Sequence, residues 1–298
     1  MKDIIYKKNY YLKNNKIFPN TETIYGNTII VESMHYCYSH AIMDFTFPLY
    51  WIIKDIINKF DINKFNIFIK FPNHKFNYRI IKDNCFINVF NELINLLEPR
   101  QIIFEHNLKN NVIFENAFCI ESRGEWISSW QRGVWNCSKY YKEREFDIKD
   151  IYYNDDIIYK NLREFVLDTK NKLNIKSYNT LNNLIIIDRK NDRLFDKDKL
   201  DKIIKIIPQK INFNGIKILE DMNLKEQIEL FSQNNIFIFR HGSCLINLLW
   251  IQNNSIIIDL DHQYDRPNVV KRICKLTNSN HHYLNYNKDN TEYIKLLF

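Results

Sequence analysis

From residue 184 to the C-terminus, short apolar runs alternate with helix-periodic stretches, and this alternation restricts the chain more than any other feature. Residues 184–188 read as a strand, 197–207 as a helix, 215–219 as a strand, 224–233 as a helix and 236–239 as a strand. The series continues with a helix behind Gly242, a strand over 256–260, a helix over 267–277 and a short strand over 282–284. Uninterrupted apolar runs mark strands covered on both faces, and helices between them mark parallel crossovers. Such a pattern requires an α/β fold with a parallel sheet between helical layers.

The first half is less regular but similar in kind. It reads as a strand over 28–32, a long helix over 39–60, a strand over 65–71, a helix over 84–97 and strands over 101–104 and 112–114. A chain of 298 residues, 45% hydrophobic, has the length of two ordinary domains. They are expected at residues 1–152 and 153–298, with the connection near 145–160 and mobile loops around Asn171 and Asn287.

Composition narrows the function classes. The net charge is +7, but Lys and Asn are spread among acids along both halves, where a nucleic-acid surface would gather its cations on one face. No nucleic-acid partner is therefore expected. The abundance of Asn, Ile, Lys and Tyr fits an AT-rich coding sequence, as in an AT-rich microbe or a large DNA virus. Six cysteines, Cys37, Cys85, Cys119, Cys137, Cys244 and Cys274, show neither a CxxC pair nor zinc spacing, which suits a reduced compartment. The first ten residues lack the apolar core of a signal peptide, and no window is long enough to span a membrane. The expectation is a cytoplasmic protein, in the host cytoplasm if viral.

Three groups carry candidate chemistry. In the first, the strand at 236–239 runs into Arg240-His241-Gly242-Ser243, with Asn247 on the helical segment behind. The chain has only five glycines, so Gly242 at a strand-to-helix junction implies either a turn at positive φ or close approach of a ligand. Ser243 is the expected N-cap, and the amides behind it offer an anion site for a phosphate or diphosphate. The second group is Asp188-Arg189 and Arg193, leaving the strand at 184–187, with guanidinium forks suited to phosphate oxygens. The third is His40 and Asp44, four apart on one helical face, where one could orient the other as a general base. Trp126, Trp130 and Trp135 would line an acceptor groove or pack a domain interface.

Together these segments resemble glycosyltransferase family 61, the group of protein O-mannose and EGF-domain N-acetylglucosaminyltransferases and plant xylosyltransferases. His40, Asp44, Pro48 and Leu49 are similar to the family's first motif, and Arg189 and Arg193 to its paired arginines. Glu226, Gln227, His241-Gly-Ser-Cys-Leu-Ile-Asn247 and Asp259 are similar to its last and most specific one. Ser243-Cys244 stands where the family has Ala-Gly, and Asp259 where it has Glu. The resemblance implies a GT-B fold of two facing Rossmann-like domains, and an inverting, metal-independent transfer of a sugar, GlcNAc or a pentose. The donor would be a UDP-sugar, with no other cofactor, and the acceptor a hydroxyl of a glycan or glycoprotein. His40 or Asp44 would serve as base. Arg189, Arg193, Gln227, His241, Gly242, Ser243, Asn247 and Asp259 would surround the donor, and no residue would bind a metal. Asp259-Leu-Asp261 has the letters of a metal motif but ends a strand.

Three alternatives compete. Arg240-His241-Gly242 spells the histidine-phosphatase tripeptide, and Cys244 at a helix start could serve a Cys-His hydrolase. A nucleotide- or glycan-binding module of the same fold would keep the pocket without the base.

Overall fold

The computed structural model describes residues 4–12, 20–32, 42, 46–70, 91–120, 155–176, 178–179, 181–190, 194–261 and 268–298. By its contacts the chain divides into two compact units, Met1–Ser129 and Trp130–Phe298. Both this division and the expected boundary at 152 and 153 fall between described segments.

The first unit is a five-stranded sheet of β1 (Ile4–Leu12), β2 (Thr21–Glu32), β3 (Phe65–Lys70), β4 (Gln101–Phe104) and β5 (Asn111–Ile120), in the order β1-β5-β2-β3-β4. β2, β3, β4 and β5 are mutually parallel, while β1 pairs antiparallel with β5. Helix α1 (Phe47–Phe60) carries proline in its first turn, where the missing N–H costs nothing, and stops at Asp61 in a left-handed conformation. The expected start of this helix at 39 lies outside the described residues, as does the first half of the helix expected at 84–97, of which residues 91–95 are helical. The antiparallel edge β1 was not foreseen, so the sheet is mixed rather than wholly parallel.

The second unit is an all-parallel sheet of β6 (Asn183–Asp188), β7 (Asn212–Ile218), β8 (Ile236–Arg240), β9 (Ile256–Asp261) and β10 (Asn280–Asn285). Its order is β10-β9-β8-β6-β7, so the chain steps outward from β6 to β7, returns to β8 and continues the other way. The connecting helices are α2 (Asp155–Lys172), α3 (Lys197–Lys205), α4 (Leu224–Gln233), α5 (Asn268–Leu276) and α6 (Thr291–Leu296). α2 corrects two expectations, since residues 155–160 are helical rather than connecting and Asn171 sits in the last turn of a helix. α6 was not foreseen.

Local chemistry sets the helix starts. Asp196 caps α3 by accepting from the amides of Asp198 and Lys199. Asn223 and Glu226 close a reciprocal capping box on α4. Gly26 and Gly215, at φ 84° and 86°, each sit beside a register shift in β2 and β7, where an inserted residue needs the left-handed region. Residues 212–214 are therefore already strand, and the glycine expected to open β7 lies inside it.

Period-two alternation splits the second sheet into two layers. Leu184, Ile186, Ile236, Ile238, Ile258 and Leu260 meet Phe195, Ile203, Tyr286 and Ile294 on the α3 and α6 side. Ile185, Ile187, Phe237 and Ile257 alternate with them and are equally buried. Phe237 stacks on Phe231 of α4 with ring centroids 5.1 Å apart, which places α4 in the opposite layer. Each such buried side chain contributes roughly 2 kcal/mol, so the sheet is a firm platform for whatever its carboxyl edge carries.

Candidate functional site

The chain reverses its direction of travel across the second sheet between β6 and β8. At such a switch point the loops leaving two adjacent strands part to opposite layers and open a crevice at the strands' carboxyl ends. Asp188-Arg189 leaves β6 there, and Arg240-His241-Gly242 leaves β8.

Pleat alternation divides the second pair. Arg240 follows Ile236 and Ile238 into the α3 and α6 layer, where its Nη1 donates to the Leu194 carbonyl at 2.6 Å and its guanidinium lies 3.8 Å from the Tyr286 ring centroid. His241 turns to the other layer. Its backbone N–H donates to the Leu260 carbonyl at 3.0 Å, and its Nδ1 meets the Asp259 Oδ2 at 2.9 Å. Since Arg240 and His241 diverge, the tripeptide does not form a phosphohistidine site.

Asp259 is fully buried on β9. Burial alone would raise its carboxyl, but the hydrogen bond from His241 and the nearness of the two histidine rings outweigh that and hold it below the usual carboxylate range. An ionised carboxylate only accepts hydrogen bonds, so the His241 Nδ1 carries the proton between them. His281 Nε2, from β10, lies 3.5 Å from the same Oδ2. Tyr283 stands edge-on to His241 with centroids 6.3 Å apart and donates its hydroxyl to Asp261 at 3.1 Å. Both carboxylates of Asp259-Leu-Asp261 are thus engaged by protein donors.

Behind His241, Ser243–Trp250 is a 3-10 helix. Its N-cap is Gly242, not the expected Ser243, and no side chain caps it. The first backbone bond within it runs from the Leu245 amide to the Gly242 carbonyl, so the Ser243 and Cys244 amides have no partner inside the helix. Gly242 is extended, with φ 176°, which rules out the positive-φ explanation for this glycine.

Two further residues placed around the donor are turned inward. Asn247 is fully buried and donates Nδ2 to the Gln227 Oε1 at 2.9 Å. Gln227 in turn donates Nε2 to the Leu219 and Met222 carbonyls at 3.2 and 3.0 Å. The pair locks the start of α4 to the 3-10 helix and fixes where that helix begins. At its other end the Trp250 carbonyl accepts from Lys170 at 2.8 Å and Ser232 at 3.1 Å.

Arg189 is half-buried, with Nε 3.7 Å from the Glu220 Oε1, and Asp188 holds its loop by accepting from the Arg189 and Phe195 amides. The Cys244 thiol feels the charges of Arg189, Asp259 and Glu220 together, which shows that the ends of β6, β7, β8 and β9 converge. Loss of hydration nevertheless pushes that thiol up to about 12, so it is protonated and unsuited to be a hydrolase nucleophile. Arg193, His40, Asp44 and the three tryptophans lie outside the described residues.

A family model described as Glycosyltransferase 61 matches residues 38–258, well over half of the chain. The chain belongs to glycosyltransferase family 61. It is accordingly a glycosyltransferase with a donor and an acceptor substrate. No curated protein matches its sequence. In this glycosyltransferase several motif letters have structural duties: Glu226 closes a capping box, and Gln227 and Asn247 brace the 3-10 helix. His281 and Tyr283 lie beyond the matched segment, and only the spacing of two aromatic residues on one face of a short strand could have drawn attention to them.

Among the described residues no helix is long and apolar enough to cross a membrane.

Proposed function

We propose that this glycosyltransferase moves a sugar, GlcNAc or a pentose, from a UDP-sugar to a hydroxyl of a glycan or protein. The transfer inverts the anomeric carbon and uses no bound metal, and the two units pair as the halves of a GT-B enzyme. Supporting the last point, each unit contains an open parallel arrangement with a switch point. In the first unit β2 to β5 stand in spatial order β4-β3-β2-β5, and in the second β6 to β10 stand as β7-β6-β8-β9-β10.

The observation that carries the reading is His241, aimed by a buried carboxylate 2.9 Å away, beside the uncapped amide end of a 3-10 helix. The His241 ring, the amides and the Arg189 guanidinium together suit a diphosphate, whose charge grows as it leaves. His40 or Asp44, in the segment that joins the carboxyl end of β2 to α1, takes the proton of the acceptor hydroxyl. The acceptor oxygen then attacks the sugar C1 while the bond from C1 to the diphosphate oxygen breaks, and a single displacement inverts that centre. Metal independence is supported by Asp259 and Asp261, whose carboxylates meet histidine and tyrosine donors. A cytoplasmic site of action, the host cytoplasm if viral, is supported by Cys244 and Cys274 being free thiols. No specific observation favours a binding module that has lost its chemistry.

The test is nucleotide release from a panel of UDP-, GDP- and CMP-sugars in EDTA, with His241→Ala beside the wild type. Release from one UDP-sugar is expected to persist in EDTA and to fall by roughly 100-fold or more in the variant. No release from any donor, with no thermal stabilisation by UDP, overturns the proposal. Release that requires a divalent cation overturns its metal-independent form.

A further inference from the structure

The second unit contains a cavity that the donor site does not use. It lies in the α3 and α6 layer, on the opposite face of the sheet from His241, under the turn that joins β10 to α6. Its volume is about 200 Å³. That is several times the ~30 Å³ share of one water and below the ~300 Å³ at which sites for drug-sized ligands begin. The space therefore suits one small molecule rather than a lone ion or a whole nucleotide-sugar.

Its floor is apolar and firmly held. Ile203 of α3, Leu260 of β9 and Ile294 of α6 are buried there, and Tyr286 closes one side. The Tyr286 ring is fixed by Arg240 and Lys199 at 3.8 and 4.1 Å from its centroid and by Phe195 edge-on, and its hydroxyl accepts from the Asp196 amide at 2.6 Å.

The rim is cationic. Lys199 and Lys202 reach it from α3 and Lys288 from the turn, against the single carboxylate of Asp289. That carboxylate is committed, since its Oδ1 accepts from the Thr291 amide at 3.0 Å and from the Thr291 hydroxyl at 2.6 Å. Lys199 gives one of its three N–H groups to the Tyr286 carbonyl. The ammonium groups of Lys202 and Lys288 make no hydrogen bond or ion pair among the described residues. The turn that carries Asn287 and Lys288 is itself pinned: the Asn287 amide donates to the Asn285 Oδ1 at 2.9 Å, and Asn290 donates Nδ2 to the Asn285 and Lys288 carbonyls at 2.8 and 3.2 Å. An apolar floor can take the C–H face of a sugar ring, and ammonium groups around it an acidic substituent.

We propose that this cavity is a second ligand site, for a small acidic sugar: one hexose-sized ring bearing a phosphate or a carboxylate. The ring rests on Ile203, Leu260 and Ile294, the acidic group meets Lys202 and Lys288, and the Asn287 side chain takes a ring hydroxyl. The inference does not depend on the role given to His241, because the sheet stands between the two sites.

The experiment titrates the full chain, 15N-labelled, with glucose 6-phosphate, glucuronate, inorganic phosphate and glucose, and follows the amide signals of residues 286–291. Three proteins are compared: wild type, Lys202→Gln with Lys288→Gln, and Lys197→Gln with Lys205→Gln. The last pair removes the same charge from α3 positions that do not line the cavity, and all four lysines are exposed, so both variants fold. Saturable shifts are expected with glucose 6-phosphate or glucuronate and not with glucose. Affinity is expected to fall roughly tenfold in the first pair and to stay within about twofold in the second, with UDP affinity unchanged in both. No saturable shift with either acidic sugar overturns the proposal, and so does an equal loss in the two pairs, which would mean attraction by net charge alone. Inorganic phosphate binding as tightly as glucose 6-phosphate overturns the sugar, leaving an adventitious ion only. A parallel loss of UDP affinity in the first pair overturns the separateness of the site. An oligosaccharide ending in glucuronate assigns the source: binding as tight as that of glucuronate marks the end of an acidic glycan chain, and exclusion marks a free acidic sugar.

Discussion

Arg240 and His241 are adjacent in the chain and both are cation-forming, yet the sheet gives them opposite duties. Arg240 enters the α3 and α6 layer, satisfied by a carbonyl at 2.6 Å and an aromatic face at 3.8 Å, and it pins the loop that leads into α3. Tyr286, on which it rests, also takes Lys199 at 4.1 Å, and its hydroxyl accepts from the Asp196 amide. His241 enters the other layer, where its partner is a carboxylate and its neighbour an uncapped helix start. One residue closes the fold, and the other is the one proposed to meet the donor. The layer, not the residue type, decides which, and a tripeptide read as letters cannot reveal it.

The largest expected effect breaks the His241 side. Asp259→Asn removes the charge that aims His241 and leaves two histidines facing a weaker acceptor, at a cost of about 3 kcal/mol in stability together with most of the donor turnover. Because the folded carboxyl lies below its ordinary value of 3.8, its contribution is complete above that value and is lost as pH falls through the lower folded one. Urea unfolding of both proteins should therefore show a stability gap that is constant near neutrality and closes in acid. A gap that stays open in acid would mean that the histidines do not hold Asp259 ionised.

The Arg240 side should break differently. Arg240→Met is expected to cost about 2 kcal/mol in thermal or urea unfolding while UDP affinity of the folded variant stays within about twofold. A large loss of UDP affinity without loss of stability would show that the two layers are not separate in function.

A third cation-forming residue sharpens the contrast. Lys170, in the His241 layer, holds the Trp250 carbonyl as Arg240 holds that of Leu194, but an ammonium can lose its proton, and burial brings Lys170 down to about 8. Between about 8 and its ordinary 10.5 the unfolded chain binds the extra proton, so the folded state gains relative stability as pH rises. The stability of wild type minus that of Lys170→Met should rise over this window and be level below it. A flat difference would place the ammonium in better hydration than its surroundings indicate. This is the smallest of the three effects.

The sequence was most legible where both faces of an element are buried. Leu184 to Ile187 and Ile236 to Phe239 are continuous apolar runs, and their strands stand where the pattern placed them. It was least legible where pairing is decided by distant chain. β1, with Lys7, Lys8 and Tyr11 exposed, has little apolar alternation, and only its register against β5 makes it a strand. In the site, the strand-end positions of His241 and Asp259 could be read from the sequence, but not that the two pair. Gln227 and Asn247 could not be told from ligand-binding groups, because a buried amide pair and a ligand-facing one have the same letters. The nearness of His281 to Asp259 escaped notice because it arises only from the pairing of two strands, in which His281 stands two residues out of step with Asp259.

The antiparallel pairing of β1 with β5 has a consequence for how the first unit comes to be made. Ile4 pairs with Ile120 and Leu12 with Val112, so β1 leaves the ribosome well before β5, the strand it pairs with, and has to wait for it. Contacts this far apart in the chain form late and slowly. Until they form, the outer side of β5 offers unpaired N–H and C=O groups to any passing chain. β1 thus acts as the sheet's cover, and a version of the protein lacking it would fold with a sticky edge.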